Sequence, residues 1–124
     1  MFAITKDKTI CLTRGDIAVI QITASDGENA YTFNAEDVIR LRVFERRKCG
    51  CVILQKDIRV TEKTETVDIF LDKTETKIGD IINEPVDYCY EVELNPDTMP
   101  QTIIGYDADG AKVFRLYPEG DDIE

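Results

Sequence analysis

Alternation of apolar and polar residues is the strongest pattern in this chain, and its period is two. In "VIRLRVF" at 38–44, apolar residues alternate with Arg40 and Arg42. The stretches "TVDIFL" at 66–71 and "DYCYEVEL" at 87–94 repeat the pattern. Because successive side chains of a strand point to opposite faces, the pattern predicts strands that are buried on one side.

Other segments of the same kind are expected to form strands too, namely 17–24, 52–60, 101–106, 112–117 and, near the N-terminus, 2–5 and 9–12. Helical spacing appears only around 74–83, where isoleucines share a face for a turn or two before Pro85 ends the run. The pattern therefore predicts an all-β chain with at most one short helical turn near 74–83. Short one-sided strands bury their apolar faces against one another, as an antiparallel β-sandwich or a small barrel.

The chain has 124 residues, which is typical of one domain. We assign residues 1–117 to that domain and 118–124, "PEGDDIE", to an acidic C-terminal tail. No apolar run approaches the ~20 residues of a spanning helix, and charged residues near Met1 interrupt any signal-peptide core. We therefore expect no membrane partner and no secretion by that route.

Charge is distributed unevenly along the chain. Residues 1–62 carry ten Lys and Arg against nine Asp and Glu, whereas residues 63–124 carry five against sixteen, which gives the net charge of −10. This balance argues against nucleic acid as a partner, since phosphate binding needs a basic face. One basic cluster is a possible interface, with the solvated side of a strand and its loop as the simpler alternative. Its residues are Arg40, Arg42, Arg46, Arg47 and Lys48.

The chain contains no histidine, so the commonest general base and the imidazole metal ligand are missing. Four cysteines are present, at Cys11, Cys49, Cys51 and Cys89. Their spacing matches no zinc module, and free thiols are the expectation. A disulfide from Cys89 to Cys49 or Cys51 and an all-cysteine zinc site are the alternatives. By alternation, Cys89 lies on the face of its strand away from the core.

Carboxylates are the remaining candidates for chemistry. Four of them, Asp107, Asp109, Asp121 and Asp122, suggest weak calcium binding, but no glutamate stands at the twelfth position of a calcium loop. A hairpin turn around Gly110 is the preferred interpretation. No carboxylate pair stands out as suited to glycoside hydrolysis. We therefore predict no catalytic residue, no metal, no cofactor and no enzymatic activity.

The tripeptide Arg14-Gly15-Asp16 has the sequence that many integrin ligands use. An adhesive role needs an extracellular chain with the tripeptide at an exposed loop tip. Here it lies between two predicted strands, where glycine and its polar neighbours are typical of a sharp turn. We interpret it as that turn.

The order of these features resembles the small Ig-like domains of tailed-phage and prophage structural proteins. It is most similar to the N-terminal domain of phage baseplate upper proteins. The resemblance covers about residues 9–120 and rests on "RGDIAVIQI", "YTFNAEDVIRLRVFE", "TVDIFLDKTETKIGD", "VDYCYEVEL" and "PQTII". The inserted "DIINEPVD" departs from the family, which passes almost directly from glycine into the tyrosine strand.

The resemblance implies an Ig-like antiparallel β-sandwich of about seven to nine strands. It also implies a non-enzymatic module of the phage tail or baseplate, assembled in the cytoplasm of the bacterial host and located in the virion. Other phage structural proteins and further copies of the same chain are the expected partners. A carbohydrate-binding β-sandwich is the alternative function, for which Tyr31 and Tyr106 are the candidate aromatic residues.

Overall fold

The computed structural model describes residues 2–4, 8–26, 29–45, 51–78, 82–106 and 110–119. Within these ranges the chain forms β-strands and no helix. Nine strands have three or more residues, and two further strands are shorter. In chain order they are β1 (Phe2–Ile4), β2 (Ile10–Thr13), β3 (Ala18–Ile22), β4 (Ser25–Asp26), β5 (Asn29–Ala30), β6 (Val38–Glu45), β7 (Val52–Arg59), β8 (Val67–Leu71), β9 (Val86–Leu94), β10 (Gln101–Ile104) and β11 (Lys112–Tyr117).

The strands pair into two principal sheets. The larger has the order β1-β2-β11-β9-β6-β7, with β10 also paired to β9, and the smaller consists of β3 and β8. All pairs are antiparallel except β2 and β11, which are parallel. Strands β6, β9 and β11 correspond to strands C, F and G of an Ig-like sandwich, and β3 and β8 to strands B and E. The predicted all-β sandwich is confirmed.

The core lies between the inner faces of the two sheets. The alternating positions predicted to be apolar are buried there: Leu41 of β6, Ile69 of β8 and Val92 of β9 are each 0% exposed. Phe33, which follows β5, is also fully buried and exchanges backbone hydrogen bonds with Thr64. Side chains from strands far apart in sequence thus share one hydrophobic core.

A single helical turn follows β8, as the sequence predicted. The Thr76 amide donates to the Asp72 carbonyl over 3.1 Å. The Asp72 carboxylate accepts the amides of Thr74 and Glu75 at 2.9 and 2.8 Å, so an aspartate caps the turn. Ile78 is buried beyond it. Ile82 packs partly buried against the core, and Ile81 lies outside the described residues.

Most strand ends lie within one residue of the prediction, and two differ by more. β3 ends at Ile22 and β10 at Ile104, each two residues earlier than expected. The two-residue hairpin of β4 and β5 was not predicted, since its residues show no alternation. In the described ranges, no helix is long and apolar enough to cross a membrane.

Candidate binding surfaces

Ion pairs cover part of the outer face of the larger sheet. Arg40 of β6 binds Asp57 of β7 through two hydrogen bonds of 2.9 and 3.0 Å, and it reaches Asp97 at 3.1 Å. Hydrogen bonds from Arg40 lower the pKa of Asp57, and both carboxylates raise the pKa of Arg40. This bidentate geometry fixes the guanidinium against the sheet.

Arg42 lies two residues further along the same face. It forms a 3.1 Å ion pair with Glu93 of β9, while its Nε is buried without a hydrogen-bond partner. Glu91 lies directly across from Arg42 in the register. Desolvation raises the pKa of Glu91, and the neighbouring Glu93 raises it further. Arg42 thus lies beside two carboxylates on the surface of the sheet.

Of the basic cluster singled out in the sequence, the structure thus places Arg40 and Arg42 side by side and ion-paired. Arg46, Arg47 and Lys48 lie outside the described residues. The role of the five residues in an interface stays a prediction. Within the described part, the two arginines are already occupied by carboxylates of this chain.

The Arg14-Gly15-Asp16 tripeptide forms a turn between β2 and β3, as interpreted from the sequence. Gly15 has a φ of +89°, which glycine adopts without strain. Arg14 is 8% exposed, and its Nε donates to the Ile78 carbonyl over 3.3 Å. The Thr76 hydroxyl donates to the Asp16 carbonyl at 2.7 Å. The guanidinium that an integrin would need is therefore held inside the protein.

The cysteines in the described residues are free thiols, as expected. Cys89 lies on the outer face, as alternation predicted, but it is only 4% exposed. Its register partners, Phe44 of β6 and Val113 of β11, have larger side chains and lie on either side of it. Cys51 is exposed, whereas Cys49 lies outside the described residues.

Among the described residues, no group of three or more carboxylates and cysteines is arranged to hold a metal ion. Asp107, Asp109, Asp121 and Asp122 fall outside that part of the chain. The predicted absence of a metal, a cofactor and catalysis thus stays a prediction.

A groove of about 640 Å³ opens at the end of the sandwich where β9 ends. One wall contains Gln21 and Thr23, and the opposite wall is formed by β10. Tyr31 lines it with its hydroxyl bound to Asp37 at 3.2 Å, whereas the 84%-exposed Tyr106 does not line it. Among the described residues that line it, Lys8 is the one with a charged side chain.

An apolar surface occupies part of the outer face of the smaller sheet. Val19 of β3 and Phe70 of β8 lie directly across from each other, 46% and 47% exposed. Ile17, just before β3, is 60% exposed. This surface was not among the interfaces predicted from the sequence. The sequence does contain a signal for it, because Val19 and Phe70 are apolar residues at positions where the alternation predicts polar ones.

Comparison with protein-family models, with curated proteins and with solved structures finds no match to this chain.

Proposed function

We propose that this protein is a non-enzymatic assembly or attachment module of a tailed-phage or prophage virion, part of the tail or baseplate, which acts through protein–protein contacts. The observation that carries the proposal is the apolar surface of Ile17, Val19 and Phe70 on the smaller sheet. Contiguous apolar side chains on a soluble domain typically mark an interaction site. The phage assignment is supported by the resemblance in sequence order and by the Ig-like strand order.

The experiment is a binding screen with the proteins encoded beside this one. Each neighbouring structural protein is expressed separately and tested for capture by the purified chain, and the molar mass of the chain alone is measured by light scattering. We expect capture of at least one neighbour, or self-association. A strictly monomeric chain that captures none of them would contradict the proposal.

A carbohydrate-binding module is the second candidate, and the groove beside Tyr31 is the observation that favours it. Amide and hydroxyl side chains, which suit sugar hydroxyls, line this groove. A glycan array with the wild type, Tyr31→Ala and Tyr106→Ala tests it. Binding lost in Tyr31→Ala and retained in Tyr106→Ala supports this function, and an array without binding rejects it.

A further inference from the structure

Strand β3 forms an edge of the smaller sheet. All five of its residues pair with β8, and no described strand pairs with its other side. Every second residue of β3 therefore points its N–H and C=O groups away from β8. Such a row of backbone groups is a template for another strand.

This edge lacks the usual protection against strand addition. Its sequence, "AVIQI", contains no charged residue and no proline. Strand β7, the edge of the larger sheet, carries Lys56, Asp57 and Arg59, and its register shifts near Leu54. Charges and bulges are the devices by which soluble proteins block edges. The chain thus blocks the β7 edge and leaves β3 open.

The core-facing side of β1 is also uncovered. Phe2 and Ile4 pair with Leu12 and Ile10, so all four side chains point toward the core side of the larger sheet. Leu12 and Ile10 are 0% and 1% exposed, whereas Phe2 and Ile4 are 36% and 45% exposed. The smaller sheet therefore covers β2 and ends before β1.

One ion pair shows which strands of the larger sheet lie nearest to each strand of the smaller sheet. Glu75, in the turn after β8, binds Lys56 of β7 at 2.9 Å, so β8 lies toward the β7 side. The open edge of β3 consequently faces the β1 side. In the described part of the chain, no strand occupies the position there, next to β3 and over Phe2 and Ile4; we call it the vacant position.

A positively charged residue, Lys8, lies at one end of the vacant position. Lys8, Gln21 and Thr23 line the groove at the β9 end of the sandwich. Among the described residues, no carboxylate forms an ion pair with the Lys8 ammonium group. An acidic residue on an incoming segment would complement it.

We propose that an extended segment of a neighbouring virion protein adds to β3 as a third strand of the smaller sheet. Alternate apolar side chains of this segment cover Phe2 and Ile4 on one face and extend the Val19 surface on the other. An acidic residue of the segment lies next to Lys8. The inference rests on the proposed function as a protein–protein assembly module and names the site and the chemistry of its partner.

A second copy of this chain does not fit the same position through its own β3. Antiparallel pairing of two β3 strands would place β1 of each copy where β2 of the other must lie. A single extended segment, about one strand spacing of 4.8 Å wide, meets no such obstacle.

The test compares two exposed valines on two different edges. Val19→Lys adds a charge to the open edge, and Val52→Lys, at a residue 42% exposed on β7, is the matched control. Ile4→Lys places a charge on β1, on the surface that the added strand would cover. Each variant is titrated with the neighbouring structural proteins and with a synthetic probe, acetyl-Val-Thr-Ile-Thr-Val-Asp-amide, and thermal melts verify folding.

We expect Val19→Lys and Ile4→Lys to weaken binding at least about tenfold, or by about 1.4 kcal/mol, and Val52→Lys to leave it unchanged. A neighbouring protein that binds wild type, Val19→Lys and Ile4→Lys equally overturns strand addition but leaves the proposed function standing. Binding of the probe alone supports strand addition and counts against the proposed function. Absence of binding to both the neighbours and the probe overturns both.

Discussion

Side chains on the outer face of the larger sheet differ in how far solvent reaches them. Cys89 belongs to the central strand β9, between two larger neighbours, and is nearly inaccessible. Cys51 precedes the edge strand β7 and is exposed. Alternation assigns a face to each residue, but it says nothing of how far neighbouring side chains cover that face.

Thiol accessibility tests this difference. Iodoacetamide should modify Cys51 in the native protein, whereas Cys11 and Cys89 should react only after unfolding, since buried thiols are shielded from reagents. Peptide mass spectrometry before and after denaturation gives the modified positions. Rapid native modification of Cys89 would contradict its burial.

Replacement of the core residue Phe33 tests how much one buried side chain contributes to stability. It is 0% exposed and packs edge to face against Tyr31, with ring centroids 5.2 Å apart. Phe33→Ala should lower the free energy of unfolding by about 3–5 kcal/mol through lost burial and a cavity. Denaturant unfolding measures the loss. Met99→Ala, at a residue 75% exposed, is the control and should change stability by less than about 0.5 kcal/mol.

At the scale of elements, alternation predicted β6, β8 and β9 well, because each has one face in the core. The parallel pairing of β2 with β11 was not predictable, since it joins strands about a hundred residues apart. The site was harder to predict than the strands. The open edge of β3 depends on which strands are its neighbours, and that information is absent from any single stretch of sequence.

The ion pair that joins β6 to β7 predicts a pH dependence. Arg40 lowers the pKa of Asp57 in the folded protein, so the contribution of Asp57 is present above its unfolded-state pKa and is lost as pH falls through the folded-state value. Asp57→Asn should therefore destabilise the protein near neutral pH and have little effect in strong acid. Because the Asp57 side chain is 43% exposed, the loss should be about 1 kcal/mol or less.

Urea unfolding of the wild type and of Asp57→Asn, at about pH 7 and about pH 2, measures the difference in their free energies of unfolding at each pH. Asp68→Asn is the control, since Asp68 is exposed on β8 and has no ion pair in the described part of the chain. If Asp57→Asn lowers the free energy of unfolding by the same amount at both pH values, the ion pair between Arg40 and Asp57 does not stabilise the protein in solution.

At the scale of the whole molecule, the structure combines a well-packed sandwich with an edge strand, β3, that carries no charged residue. Most of the negative charge belongs to residues 63–124, while β3 carries no charged residue and Ile17, Val19 and Phe70 form an exposed apolar surface on its sheet. This contrast makes the surface around β3 the part best suited to contact another protein, because apolar area there remains to be buried.

Amide hydrogen exchange tests the central claim most directly, by comparing the isolated protein with the protein in its assembled particle. If another strand adds to β3, the outward-pointing amides of Ala18–Ile22 should exchange markedly more slowly in the particle, while the outer edge of β7 should not change. Equal exchange of β3 in the two states, with protection elsewhere, would contradict the account.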